Sequence, residues 1–371
     1  MNAASPRSSV VVIGGGYGGV TAARALDAHA HVTLVEPKDA FVHNVAALRA
    51  LVEPTWLPRI FLPYDRLLAH GTVLRDRAVR VDPGHVVLAS GKRLSPDLIV
   101  LATGSTYPFP AKSDETNTVD AIERYRAAHA NLASSDRVML LGAGAVGLEL
   151  AGEIAAVWPE KHIVLVDQAD QILPGPYDQR LRDELNRQLD ELGVQRVLGH
   201  ALAHLPETAA GQAGAFTVAT AAGTRIDADI WFRCYGVTPV TDYLGDELMA
   251  ARTPDGYLEV TPQLQVVGFE GVYALGDIAA IDVNKAGVAG RQAEVVATNI
   301  RAQLAGGVER TAYTPGPPVI ILPLGPAGGA GQLPNREDIA TAEFISRVKG
   351  QDMMIDRYAQ LLIAPEAASD A

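Results

Sequence analysis

The stretch Val11–Gly19, VVIGGGYGG, is answered further along the chain by Leu140–Leu148, LLGAGAVGL. Ahead of the first loop stands a short β-branched run, SVVVI; behind it VTAARALDAHA is alanine-rich and helix-prone, and HVTLVE returns to strand composition. That order predicts strand, tight turn, helix and strand. Gly14, Gly16 and Gly19 satisfy G-x-G-x-x-G within it, for a tight turn, close backbone approach to a pyrophosphate, and close packing of helix on strand. Gly15, Tyr17 and Gly18 fill the intervening positions of the same cradle. The helix N-terminus behind the loop offers an anion free N–H groups and the positive end of a dipole. Glu36, ending the next strand, is placed to bind ribose hydroxyls.

The second stretch repeats every part. RVMLL is the strand, Gly142, Gly144 and Gly147 with Ala145 and Val146 form the loop, VGLELAGEIAAVW is the helix, and HIVLVD ends in Asp167. A single loop of this kind is a weak signal, because its glycines can serve helix–strand packing alone. Two complete units predict two dinucleotide sites. Two sites make sense where one dinucleotide hands electrons to another, and the usual solution is a bound flavin reduced by a nicotinamide. Asp167 can accept hydrogen bonds from a free ribose 2′-hydroxyl and repels a 2′-phosphate, which favours NADH and leaves NADPH as the alternative donor.

At 371 residues the chain suggests two or three domains, on a prior of roughly 100 to 200 residues each. A composition of 48% hydrophobic and 20% charged residues describes a soluble globular protein. The net charge of -12 leaves no general basic surface, so nucleic acid is not an expected partner. The opening MNAASPRSS lacks an apolar signal core and no apolar run is long enough for a membrane span, which places the protein in the cytoplasm by default. The single cysteine, Cys234, can form no internal disulfide. No His/Cys cluster has metal-ligand spacing, and no metal is expected.

Two further segments read as strand ends where backbone approaches a cofactor: LIVLATGS, with Ala102, Thr103 and Gly104, and VYALGDIA, with Gly276 and Asp277. With these motifs in this order, the chain resembles the two-dinucleotide-binding-domain flavoproteins over most of its length. The resemblance implies an α/β fold of two Rossmann-like domains. An NADH-binding domain, 112–238, is inserted in a discontinuous FAD-binding domain, 1–111 and 239–312, and a small α+β C-terminal interface region follows, 313–371. It also implies that Asp277 accepts a hydrogen bond from the ribityl or phosphate region of FAD. TYPFPAKSDE and YGVTPVTDY are plausible crossings between the domains, since proline interrupts regular pairing and helices. VIILPLGPAGGAGQL reads as strand, glycine turn and strand, and the tail SRVKGQDMMIDRYAQLLIAP as helical.

In the disulfide reductases of this superfamily a redox cysteine pair follows the first acidic residue. Here that region, KDAFVHNVAALRA, contains none. Glutathione-reductase-like, lipoamide-dehydrogenase-like and two-cysteine sulfide:quinone reductase mechanisms are thereby excluded, and Cys234 reads as a buried structural residue. The segment DAFVHNVAALRA resembles one in the apoptosis-inducing-factor-like, mitochondrion-associated flavoproteins, the ferroptosis suppressor protein family. LATGSTYPFPAK, VGLELAGEI, YALGD and KAGVAGRQAEVVATNI follow in the same order. That family reduces quinones with NAD(P)H and is related to type II NADH dehydrogenases.

The resemblance implies FAD contacts at His43, Asn44 and Arg49, with Arg49 near the adenine-dinucleotide phosphates, and backbone contacts to adenine at Ala78 and Val79. It places Glu149 near the nicotinamide and flavin, and Lys285 where its charge would stabilise the reduced ring. Plainer explanations stand beside these: a core histidine, a surface salt bridge, a carboxylate favoured by the helix dipole, a solvated lysine. CYGVTP carries Tyr235 where threonine is usual and leaves Gly236 as the glycine beside the nicotinamide. Asn2 stands where N-myristoylation needs glycine, so no lipid anchor is expected. An amphipathic C-terminal helix leaves peripheral membrane contact and a homo-oligomer open. The expected activity is that of a FAD-dependent NAD(P)H:quinone oxidoreductase. The alternatives are a reductase of a ferredoxin-type or other carrier protein, and an NADH-sensing flavoprotein with slow turnover.

Overall fold

The computed structural model describes residues 8–282 and 286–363. Its first sheet has five parallel strands in the spatial order Val272–Ala274, Leu98–Leu101, Ser9–Ile13, His31–Glu36 and Thr72–Arg75. Successive side chains of a strand point to opposite faces, and here both faces are covered. Val10, Val12, Val32 and Leu34 enter one core with Val20 and Leu26 of the helix Tyr17–Leu26 and Val296 and Ile300 of the helix Ala286–Leu304. Val11, Ile13, Val35 and Leu101 enter the other, against Val81, Val86 and Leu258. Two covered faces explain why these strands read as continuous apolar runs.

The second sheet has four parallel strands in the order Gln195–Val197, His162–Val166, Arg137–Leu141 and Ile230–Arg233. Val138 and Leu140 face the helices Thr118–Ala133 and Ala145–Val157, while Met139 and Leu141 face the hairpin Phe216–Ala219 and Arg225–Ala228. All four strands fall in sequence between Leu98–Leu101 and Val272–Ala274 of the first sheet. The fold is thus one Rossmann-like unit inserted in another. The two passages between them are joined as a short antiparallel ladder, Ser105 opposite Pro239 and Thr106 opposite Thr238.

After residue 312 the chain forms the predicted hairpin, Ile320–Leu324 with Gly328–Gln332. It lies so close to the helix Ala145–Val157 that a Cβ on Gly152 would stand 2.4 Å from the Leu324 Cα. One core accordingly holds residues from three parts of the chain: Leu48 and Leu51, Leu148 and Ile154, and Leu322 and Met353. The tail is helical in two pieces rather than continuously. A short helix, Ala342–Ile345, passes into a π-helical turn, Ser346–Gly350, and then Met353 and Met354 take φ of 51° and 59° before the helix Ile355–Leu361. The break coincides with tertiary bonds from Lys349, Gly350 and Met353, which override the local preference for a continuous helix. Among the described residues no helix is long and apolar enough to cross a membrane.

Candidate functional site

The two glycine loops have the same build. Gly14 adopts φ of 102° against the Ala102 carbonyl, and Gly142 adopts 117° against that of Cys234. A Cβ on Gly19 would lie 1.8 Å from the Gly14 oxygen, and one on Gly147 1.9 Å from the Gly142 oxygen. These four positions accept hydrogen only. Gly16 and Gly144 are different, because a Cβ at either would meet nothing within 4 Å. The open space lies at the N-cap of the helices that begin at Tyr17 and Ala145, where helix N–H groups favour an anion. Both cradles therefore fit a dinucleotide pyrophosphate. Gly15 and Gly18 pack against the Tyr64 hydroxyl and Leu275, and Ala145 and Val146 open the second helix.

Each loop is tied to the end of its second strand by an acid. The Glu36 carboxylate accepts from the Gly15 N–H at 2.5 Å and from the Lys38 N–H at 2.9 Å. Asp167 accepts from Ala143 at 2.6 Å and from Ala169 at 2.8 Å. Tyr64, absent from the sequence reading, donates its hydroxyl to the Gly15 carbonyl at 2.8 Å.

Asp277 sits in a polar cluster that joins the passage between the units. Ser105 Oγ donates to its Oδ2 at 2.6 Å, and Lys112 Nζ lies 3.4 Å from the same oxygen while donating to the Ser105 carbonyl at 2.7 Å. Gly276 donates its N–H to Gln292 at 2.7 Å. Thr103 Oγ1 donates to the Val240 carbonyl, and Gly104 accepts from the Val240 N–H. Lys112 and Ser105 were also missed, although both lie in quoted motifs. Gly236 turns beside Pro108, and Tyr107 donates to the Cys234 carbonyl at 2.6 Å. Ala78 starts the strand Ala78–Asp82; the ladder register shifts between Ala78 and Arg80, which leaves Val79 at the irregularity and 47% exposed.

His43 is fully buried between the first unit and the tail. Its Nε2 is 2.7 Å from the Met353 carbonyl, which can only accept, so Nε2 carries the proton and Nδ1 accepts from the Tyr17 hydroxyl at 3.1 Å. Burial pushes the His43 pKa down, which keeps the ring neutral. Burial also raises the Tyr17 pKa, which keeps its hydroxyl a donor. Tyr358 packs its ring on both, with centroids 4.7 and 4.9 Å away. Asn44 opens the 3-10 turn that follows, Asn44–Ala46.

The resemblance implies a phosphate contact for Arg49, but the structure engages its guanidinium elsewhere. Nε and Nη2 both bond the Glu153 carboxylate, and Nη2 also donates to the Gly350 carbonyl at 3.0 Å. Glu149, one turn earlier on the Glu153 helix, is paired with Lys349 at 2.8 Å. Neither partner was named from the sequence. Lys285 lies outside the described residues.

A family model for pyridine nucleotide-disulphide oxidoreductases matches residues 8–297. The chain is 34% identical to ferroptosis suppressor protein 1 of Taeniopygia guttata over 331 residues, which cover 87% of this chain and 88% of that protein. It is 27% identical to apoptosis-inducing factor homolog B of Dictyostelium discoideum, over 98% of both chains. The sulfide:quinone oxidoreductase of Aquifex aeolicus shares the fold, with a TM-score of 0.73, 18% identity, and coverage of 97% of this chain and 93% of that one. Two cradles shaped for pyrophosphates in this family bind FAD and NAD(P)H. The chain belongs to the pyridine nucleotide-disulphide oxidoreductase family, with ferroptosis suppressor protein 1 and the apoptosis-inducing factor homologues as relatives, and is an NAD(P)H-dependent flavin oxidoreductase.

Proposed function

We propose that the protein oxidises NADH and delivers the two electrons through FAD to a quinone. The thiol-free route is carried by the state of Cys234, and the quinone rests on the likeness to the ferroptosis suppressor proteins. Cys234 is the one cysteine of the chain and is buried, and burial pushes its thiol pKa up to about 12. A thiol relay of the disulfide reductases needs a pair, with one member a ready thiolate. Electrons therefore leave from the flavin to an acceptor that needs no thiol, and a flat apolar quinone meets that requirement.

When bound, FAD would supply the two-electron redox chemistry between NADH and the acceptor. The chain's own part is to hold and orient. Gly14–Gly19 and Glu36 would hold the FAD pyrophosphate and ribose, and Asp277, braced by Ser105 and Lys112, the ribityl region. Gly142–Gly147 and Asp167 would hold NADH, with Glu149, on the helix that follows the loop and paired with Lys349 of the C-terminal region, on the nicotinamide side. The Asp167 carboxylate favours a free 2′-hydroxyl over a 2′-phosphate, hence NADH over NADPH.

Steady-state NADH oxidation tests the acceptor. Turnover with short-chain benzoquinones and naphthoquinones should far exceed turnover with dissolved oxygen or with ferredoxin-type carriers. Quinone turnover no faster than oxygen, beside rapid turnover with a carrier, would overturn the reading.

A further inference from the structure

The helix Ala145–Val157, whose N-terminus forms the second cradle, is fastened to the first unit by one polar contact of unusual completeness. Arg49, on the short helix Ala47–Val52, places Nε and Nη2 on the two oxygens of Glu153. The side chains are 2% and 1% exposed. Nη2 also donates to the Gly350 carbonyl, and the guanidinium carbon lies 5.4 Å from the Trp56 ring centroid. Three parts of the chain that are distant in sequence meet at this one group.

We propose that the Arg49–Glu153 pair is a positioning device that sets the second loop helix against the first unit, and thereby sets the nicotinamide at hydride-transfer distance from the flavin. It rests on the NAD(P)H-to-flavin reaction and is independent of the quinone acceptor.

Apolar packing around the pair does not supply this function. Leu48, Leu51, Leu148 and Ile154 bury surface well, but that attraction has no direction and tolerates small slides between helices. A bidentate guanidinium–carboxylate contact fixes both distance and angle. A buried ion pair is weak evidence for stability, since an apolar pair of similar size often serves equally well. Its particular yield here is register. The helix is stiff, so a shift at Glu153 carries to Gly144 and Gly147, where NADH is held. The ladder between 105–106 and 238–239, with the Tyr107–Cys234 bond, and the bonds of Thr118 to Asp39 and of His129 to the Leu51 carbonyl fasten the inserted unit at further places. Separated attachments resist rotation, where one would permit it. The Nε and Nη2 donors of Arg49 are directed to Glu153 and Gly350, so a phosphate would have to compete with those partners for them.

The test uses the full-length protein and two variants, Glu153→Asp and the double variant R49M/E153M. The first keeps both charges and retracts the carboxylate by one methylene; the second replaces the pair by apolar side chains. Three quantities are measured: FAD and NAD+ dissociation constants, the anaerobic rate of flavin reduction at saturating NADH, and amide hydrogen exchange over 145–157 in the FAD-free protein. Both variants should keep the two affinities within about threefold of wild type. Reduction should slow by about 10- to 100-fold, as expected for a displacement near 1 Å, and exchange over 145–157 should rise. Unchanged reduction rates in folded variants overturn the proposal and leave the pair a packing element. Selective loss of FAD from R49M/E153M, with Glu153→Asp unaffected in all three quantities, also overturns it and makes Arg49 a cofactor ligand. Wild-type protein that NADH does not reduce overturns the reaction itself, and the proposal with it.

Discussion

Glu36 and Asp167 occupy the same place in two successive units: each turns a carboxylate oxygen onto the N–H that follows the first loop glycine, at 2.5 Å to Gly15 and 2.6 Å to Ala143. The shared bond locates each acid beside its cradle, where a ribose is read. Asp167→Ser should narrow the NADH preference by about tenfold, or ~1.4 kcal/mol, because the serine hydroxyl no longer repels a 2′-phosphate. Specificity constants for NADH and NADPH measure this, and equal wild-type constants would contradict the assignment.

The loop glycines divide into two classes that mutate differently. Gly16 and Gly144 have φ of -78° and -79° and open space where a Cβ would stand, so alanine at either should leave stability nearly unchanged. The new methyl would enter the pyrophosphate space. Gly16→Ala should weaken FAD and Gly144→Ala should weaken NADH, each without lowering Tm. Gly19→Ala and Gly147→Ala drive a methyl into a carbonyl oxygen and should cost about 2 kcal/mol or more of stability. Thermal unfolding of FAD-free protein, beside dissociation constants for both dinucleotides, separates the classes. A large Tm loss in Gly16→Ala would show that the position serves packing.

Asp277→Ala should raise the FAD dissociation constant by roughly tenfold or more, the weight of a charge-assisted hydrogen bond of about 1.5–3 kcal/mol. Lys112→Met leaves the carboxylate in place and should weaken FAD less. Equal FAD affinity in wild type and Asp277→Ala would remove Asp277 from the site.

These contrasts show what was legible in the sequence. The parallel strands read clearly because burial on both faces demands unbroken β-branched runs such as Ser9–Ile13, and the loop glycines read clearly because their constraint is local. Glu153, Lys349, Lys112 and Tyr64 did not stand out, since each acts on a residue far away in sequence and no local pattern marks the pairing. The break within the helical tail stayed hidden for the same reason. The tail's composition favours helix, and only tertiary bonds at Lys349, Gly350 and Met353 interrupt it.

His43 gives the fold a pH dependence with a definite sign. Its folded pKa is depressed below the ordinary 6.5 by burial, so in that range the unfolded chain binds more protons than the folded one. The stability it contributes is complete above 6.5 and falls as pH drops from 6.5 toward the folded value. The Tm of wild type should decline over that interval, and His43→Asn should flatten the decline. The raised pKa of Glu153 acts in the opposite direction, and the difference between variant and wild type isolates the histidine. Identical slopes for the two proteins would show that His43 titrates normally.

Direct passage of electrons from flavin to quinone, with no thiol between, is tested most directly by anaerobic stopped flow on wild type and Cys234→Ser. Each protein is reduced by one equivalent of NADH and mixed with a short-chain benzoquinone while flavin absorbance is followed. The predicted result is rapid reoxidation at closely similar rates in both proteins, with one hydroquinone formed per flavin. A folded Cys234→Ser that holds FAD and is reduced by NADH, yet is not reoxidised by the quinone, would contradict the account.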